Sequence, residues 1–128
     1  MNAPLVVLTN PIDAAMQAEL ERHARVLLLT EPSADAIRAA VAQADAVIVR
    51  APLPDDVFTH GPYLVGAVRH GAGVDMIPVD AATEAGVAVA NVPGVNAVTV
   101  AEYAIGQMLA LSRRLTRIDT TLRAAGWS

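Results

Sequence analysis

The sequence predicts a doubly wound α/β domain of about five parallel strands, followed by one long C-terminal helix. Three observations carry that prediction. Short runs that are apolar throughout alternate with helix-patterned stretches, as in a parallel sheet covered on both faces. Apolar residues make up 54% of the 128-residue chain and aromatics only 3%, so the core must be aliphatic and alanine-rich. After Pro93-Gly94, apolar residues recur at three- and four-residue spacing from Ala101 to Leu122, one continuous helical stripe.

The elements follow in order. LVVLTN (5–10) is the first strand and IDAAMQAELERHA (12–24) the first helix. RVLLLT (25–30) is the second strand, and SADAIRAAVAQA (33–44) a helix with Ser33 as its N-cap. DAVIVR (45–50) gives a third strand ending at Arg50. A loop or short helix, APLPDDVFTHGP, leads into the fourth strand, YLVGAVRH. PVDAATEAG reads as a short helix with Pro78 at its first position and Gly86 past its end. VAVANV is the fifth strand. In the last segment, Thr99 and Glu102 fit a capping box that opens the long helix. The domain reading is therefore residues 1–98 for the sheet domain and 99–128 for the helix.

Composition removes several function classes. The net charge is -4, every basic residue is arginine, and no basic run occurs before the last third, which argues against a nucleic-acid partner. The absence of cysteine excludes disulfides and thiolate chemistry and fits a cytoplasmic protein. The amino end lacks a positive leader segment, and the longest uncharged stretch, 85–101, contains Pro93, Gly94 and two asparagines, a poor membrane span. A mean hydropathy of +0.42 implies surface normally covered by another domain or subunit.

The chemistry centres on RHGAGVD, 69–75. A dinucleotide fingerprint needs a third glycine at position 76, where this chain has Met76, and an acidic residue ending the next strand, which instead ends near Asn91. No lysine is present for a phosphate-binding lysine loop. The loop Gly71, Ala72, Gly73 does suit an anion, because no bulky side chain stands between its amides and a ligand beyond the strand ends. A tight turn without a ligand fits equally. Asp75 would repel an anion if it pointed inward, so it is expected to bind loop amides or cap the next helix.

Other five-stranded readings fail. A phosphate-accepting receiver needs acids after the first and third strands and a lysine after the fifth, where this chain has Thr9-Asn10, Arg50 and no lysine. The segment TNPIDAAM is not a flavin-phosphate loop. His23 fits the end of the first helix, His60 a surface turn, and His70 either the surface or a ligand contact. No metal-ligand spacing and no Ser-His-Asp arrangement occurs. Arg50 faces either the ligand crevice or a salt bridge with Asp55 or Asp56, and Asn96 is either an N-cap or a ligand contact.

The stretch VRHGAGVDMIPVDAATEAGVAVANVPGVNAVTVAEYAIGQMLALSRRL, with a closing LRAAGW, resembles the D-2-hydroxyacid dehydrogenase family through nearly half the chain. The resemblance implies a flavodoxin-like substrate-binding domain over 1–98, in which the backbone at Ala72 and Gly73, beside Gly71, binds the substrate carboxylate. Asn96 matches a position that touches substrate, and Arg50 one near the active-site mouth. Ala72, Ala97, Thr99 and Val100 match positions near an NAD or NADP cofactor. The implied ligand is a small 2-keto or 2-hydroxy acid. The implied partner is a second copy, docked through the long helix.

The family's glycine fingerprint and its catalytic arginine, acid and histidine lie in a nucleotide-binding domain that follows GW and is absent from these residues. No catalytic residue and no metal ligand is therefore assigned to this chain. The expectation is the amino-terminal part of such an enzyme, inactive alone, with NAD(P) not bound tightly. The alternative is a free-standing, non-catalytic dimerising module that binds small carboxylates.

Overall fold

The computed structural model describes residues 3–127, which divide into two compact units at Pro93 and Gly94. The first unit contains β1 (Leu5–Leu8), α1 (Ala14–Glu21), β2 (Arg25–Leu28), α2 (Ala34–Val41), β3 (Ala46–Val49), α3 (Val57–His60), β4 (Gly66–Arg69), α4 (Val79–Glu84) and β5 (Ala88–Ala90). Its five strands are all parallel, in the order β2-β1-β3-β4-β5. The chain runs outward from β1 to β2, returns to β3 on the other side, and continues to β5. The order therefore reverses between β1 and β3, and ligands collect beyond the carboxyl ends of strands at such a point.

Strand side chains alternate between faces, and the two cores obey that period. Val7, Val47, Val49, Ala67 and Val87 pack with Ile37 and Val41 of α2, Phe58 of α3 and Ala82 of α4. Val6 and Leu8 pack on the opposite face with Ala24, Leu20, Val26 and Ile48. The cover is unequal. On the second face, Val68 of β4 and Ala88 and Ala90 of β5 stay exposed, as does the neighbouring Val65 at 69%.

The helix ends show local chemistry. Asp13 accepts the amides of Ala15 and Met16 at the start of α1, and Ser33 that of Ala36 at the start of α2. Gly86 follows α4 at φ +71°, the left-handed position where a side chain would be strained. Pro78 stands one residue before α4 rather than inside it, so its missing N–H falls where the helix needs none.

The second unit corrects the expected single helix. It contains α5 (Ala97–Ser112) and α6 (Leu115–Ala125), separated at Arg113 and Arg114. Arg114 is left-handed at φ 54°, a conformation that ends the hydrogen-bond ladder. Neither glycine nor proline marks the break. The capping box is also overturned: α5 opens at Ala97 after Asn96, so Thr99 already lies inside the first turn. Nor is the apolar pattern one stripe. Val98, Val100, Tyr103, Ile105, Met108, Leu109 and Leu111 fall around most of the circumference of α5, and all are more than half exposed. No residue of either helix is buried.

Candidate functional site

In the first unit the loop after β4 forms a tied turn at the carboxyl edge of the sheet. His70 N–H donates to the Val49 carbonyl at 3.0 Å, joining the loop to the end of β3. On the other side, the segment leaving β5 holds it twice. Val92 N–H donates to the Gly71 carbonyl at 3.0 Å, and the Asn91 side-chain amide donates to the Ala72 carbonyl at 2.6 Å. The amides of Ala72 and Gly73 find no acceptor among the described residues. Two successive free donors are what an anion site of this kind requires.

Arg69, which the sequence reading passed over, supports the turn. Its Nη1 donates to the carbonyls of Val49 at 3.1 Å and His70 at 2.7 Å. Its Nε is buried without a partner. The guanidinium packs against Gly71 so closely that a Cβ there would stand 3.1 Å from it, so any other residue would require the arginine to shift. The sequence placed Arg69 inside its fourth strand, YLVGAVRH, and at the head of RHGAGVD, with no role of its own.

Arg50 follows β3, and its guanidinium donates to the Pro11 carbonyl. It makes no pair with Asp55 or Asp56; Asp56 belongs to Arg38, with Nε to Oδ1 at 3.0 Å. The hydrogen bond from Arg38 holds the Asp56 carboxyl below its ordinary range, and Arg38 is correspondingly raised. Behind Arg50, the buried hydroxyl of Thr9 accepts the amides of Arg50 at 2.8 Å and Ala51 at 3.0 Å. Thr9 was legible as the end of β1, but its part in fixing the end of β3 needed the β1–β3 pairing.

Asp75 differs from expectation. Its carboxylate turns back over Gly73, with Oδ1 2.7 Å from where a Cβ on that glycine would lie. It takes no hydrogen bond from the loop amides among the described residues, and α4 has no side-chain cap. His70 is exposed, His60 Nδ1 lies 3.0 Å from the Asp56 carbonyl, and His23 Nε2 lies 3.2 Å from Glu19. No group of three or more metal-ligating side chains is found among the described residues.

Asn96, Ala97, Thr99 and Val100 belong to the second unit, at the start of α5. All four are exposed, and Asn96 is the N-cap residue without a side-chain cap bond. The side chain is thus not consumed by its own helix. The same unit carries an open pocket of about 420 Å³ at the α5–α6 turn, lined by Arg113, Arg114, Arg117, Ile118 and Trp127 among others. No sequence reading singled it out, because it depends on the left-handed turn at Arg114.

Comparison with known proteins bears on this arrangement. Residues 6–125 match the model of the D-isomer specific 2-hydroxyacid dehydrogenase catalytic domain. The D-3-phosphoglycerate dehydrogenase of Mycobacterium tuberculosis is 36% identical over 129 residues, covering 99% of this chain and 24% of that protein. The hydroxypyruvate reductase of Thermotoga maritima is 35% identical over 95 residues, covering 73% of this chain and 31% of that protein. Among solved structures, an NADPH-dependent glyoxylate/hydroxypyruvate reductase from Sinorhizobium meliloti, in complex with NADP and malonate, superposes with a TM-score of 0.82. It is 25% identical and covers 98% of this chain and 40% of that one.

The chain thus spans about a quarter of the phosphoglycerate dehydrogenase it matches. No helix among the described residues is long and apolar enough to cross a membrane. The five-stranded parallel order, the loop after β4 and the match over nearly all of the sequence agree, and the chain belongs to the D-isomer specific 2-hydroxyacid dehydrogenases.

Proposed function

We propose that this chain is the substrate-binding part of an NAD(P)-dependent 2-hydroxyacid dehydrogenase, holding the carboxylate of a small 2-keto acid on the amides of Ala72 and Gly73. The observation that carries the reading is the pair of unpartnered amides beyond the end of β4, in a domain of this family. Gly71 lets the loop turn over Arg69, and Arg50 adds positive charge to the strand ends. Asn96 is the further candidate for a substrate contact.

A reduced nicotinamide, when held by the complete enzyme, would supply the hydride for reduction of the keto group. This chain's part is to fix the carboxylate so that the neighbouring carbonyl is presented in one orientation. Ala72 in the first unit is a candidate cofactor contact, and so, each taken within the second unit alone, are the exposed Ala97, Thr99 and Val100. They do not amount to a phosphate cradle, since Met76 replaces the third glycine of a fingerprint. The chain alone should therefore hold NAD(P) weakly and turn over nothing.

The names of the relatives make hydroxypyruvate, glyoxylate and D-3-phosphoglycerate the first acids to try. Titrating the isotope-labelled chain with pyruvate, as a stable 2-keto acid, should shift the amide signals of residues 71–73. Gly73→Leu should abolish the shift, because its Cβ would stand 2.7 Å from the Asp75 carboxylate oxygen and force the loop to rearrange. A shift that survives in Gly73→Leu would reduce the loop to a turn. NADH oxidation with hydroxypyruvate or glyoxylate by the purified chain would overturn the assignment as a binding part only.

The exposed apolar side chains of α5 and α6 favour a second reading, a free-standing module that dimerises through these helices and binds carboxylates without catalysis. It requires a soluble dimer by sedimentation, converted to monomer by Ile105→Glu. A soluble monomer would count against it.

A further inference from the structure

Asn91 leaves β5 and reaches back to the loop after β4, where its Nδ2 donates to the Ala72 carbonyl at 2.6 Å. The next residue, Val92, donates its backbone N–H to the Gly71 carbonyl at 3.0 Å. All peptide bonds described are trans, and a trans peptide sets its C=O and N–H in opposite directions. Holding the Gly71 carbonyl on Val92 therefore aims the Ala72 N–H away from the β5 exit. Holding the Ala72 carbonyl on Asn91 does the same for the Gly73 N–H. Two successive donors are turned the same way by two bonds from one short segment.

The second bond is the vulnerable one. The peptide between Ala72 and Gly73 joins a small residue to a glycine, whose backbone tolerates either orientation of that plane at little cost. A half-turn of this plane would replace the Gly73 N–H with the Ala72 carbonyl oxygen. The loop would then present an acceptor beside a donor, and a carboxylate would be repelled instead of held. Asp75 already places a negative charge over Gly73, so a carbonyl oxygen turned toward the ligand would add to the repulsion, whereas the N–H offsets it. Val92 cannot fix it, because its bond is to the preceding peptide.

We propose that Asn91 is a positioning residue: its side-chain amide locks the Ala72–Gly73 peptide with the N–H facing the ligand. The proposal rests on reading the loop as a carboxylate site. The residue must be a donor of this length; aspartate would set oxygen against oxygen, and alanine would leave the plane free.

The test uses the 128-residue chain, labelled for NMR, with pyruvate as probe, comparing wild type with Asn91→Ala. Loss of the lock should raise the fast backbone mobility of Gly73 and weaken pyruvate binding, read at Ala72 and Gly73, at least tenfold. Amide signals of Val7 and Val47 should stay in place, since these core residues are remote from the bond. Unchanged mobility and unchanged affinity in Asn91→Ala overturn the proposal and leave the carboxylate reading intact. No pyruvate response in the wild type overturns the carboxylate reading itself, with the Gly73 mobility still reporting whether the lock exists. Should Asn91→Ala not fold, the unmodified chain decides: a scalar coupling across the hydrogen bond from Asn91 Nδ2 to the Ala72 carbonyl carbon is expected, and its absence overturns the proposal.

Discussion

Residues 3–93 and 94–127 are both rich in aliphatic side chains, yet they use them in opposite ways. In the first unit Val7, Ile37, Val41, Val47 and Val49 are completely buried. In the second, Ile105, Met108, Leu111 and Ile118 are each more than half exposed. Apolar content alone therefore does not make a core. In the first unit, strands of period two meet helices on defined faces, so Val7, Val41, Val47, Val49 and Val57 are all fully buried. In the second, neither helix contains a buried residue, and α5 is apolar around most of its circumference. A helix apolar around most of its surface is built to be covered, and the unequal cover over β4 and β5 leaves further apolar surface.

The sharpest way to break this contrast is a matched pair of truncations. Ile37→Ala should cost about 2–5 kcal/mol, the range for emptying a packed core site. Ile105→Ala in the monomeric chain should change stability by less than about 0.5 kcal/mol, as at an exposed helix position. Urea unfolding of both variants measures the difference, and equal costs would end the distinction between the units.

A smaller effect separates packing from polar organisation within the first unit. Thr9→Val preserves shape but removes the acceptor used by Arg50 and Ala51. Leaving buried donors unpaired should cost about 1–3 kcal/mol. Amide exchange should quicken at those two residues more than at Val47. Uniform acceleration would mean Thr9 serves the core rather than the strand end.

The smallest effect concerns the exposed Arg38–Asp56 pair. The folded-state pKa of Asp56 is lowered, so its contribution is present above the unfolded carboxylate value, about 4, and disappears as pH falls through the folded value. Arg38→Ala should narrow the stability gap between pH 6 and pH 3 slightly. A gap unchanged or wider in the variant would show that the pair contributes nothing measurable.

The readings that succeeded and failed divide along the same physical line. All five strands were legible because each is a short aliphatic run between turn residues, and Ser33 was legible because capping is a local bond. The break at Arg114 was not, since a left-handed arginine carries no glycine or proline signal. The opening of α5 at Ala97 was missed because Thr99 and Glu102 satisfy the capping pattern without using it. At the candidate site, Gly71, Ala72 and Gly73 stood out as residues without bulk. Arg69, Asn91 and Thr9 did not, because each acts on a segment 19 or more residues away, across strands paired only in the fold.

By itself the sequence determined the α/β class, the strand runs, the glycine loop and the family likeness, because periodicity, turn residues and motif spacing are local along the chain. Only the tertiary structure decided the strand order, the partner of Arg50, the two-helix form of the second unit and the direction in which the loop amides point. Those depend on bonds between segments distant in sequence: which carbonyl Asn91 reaches, not merely that an asparagine is there, sets the loop's polarity.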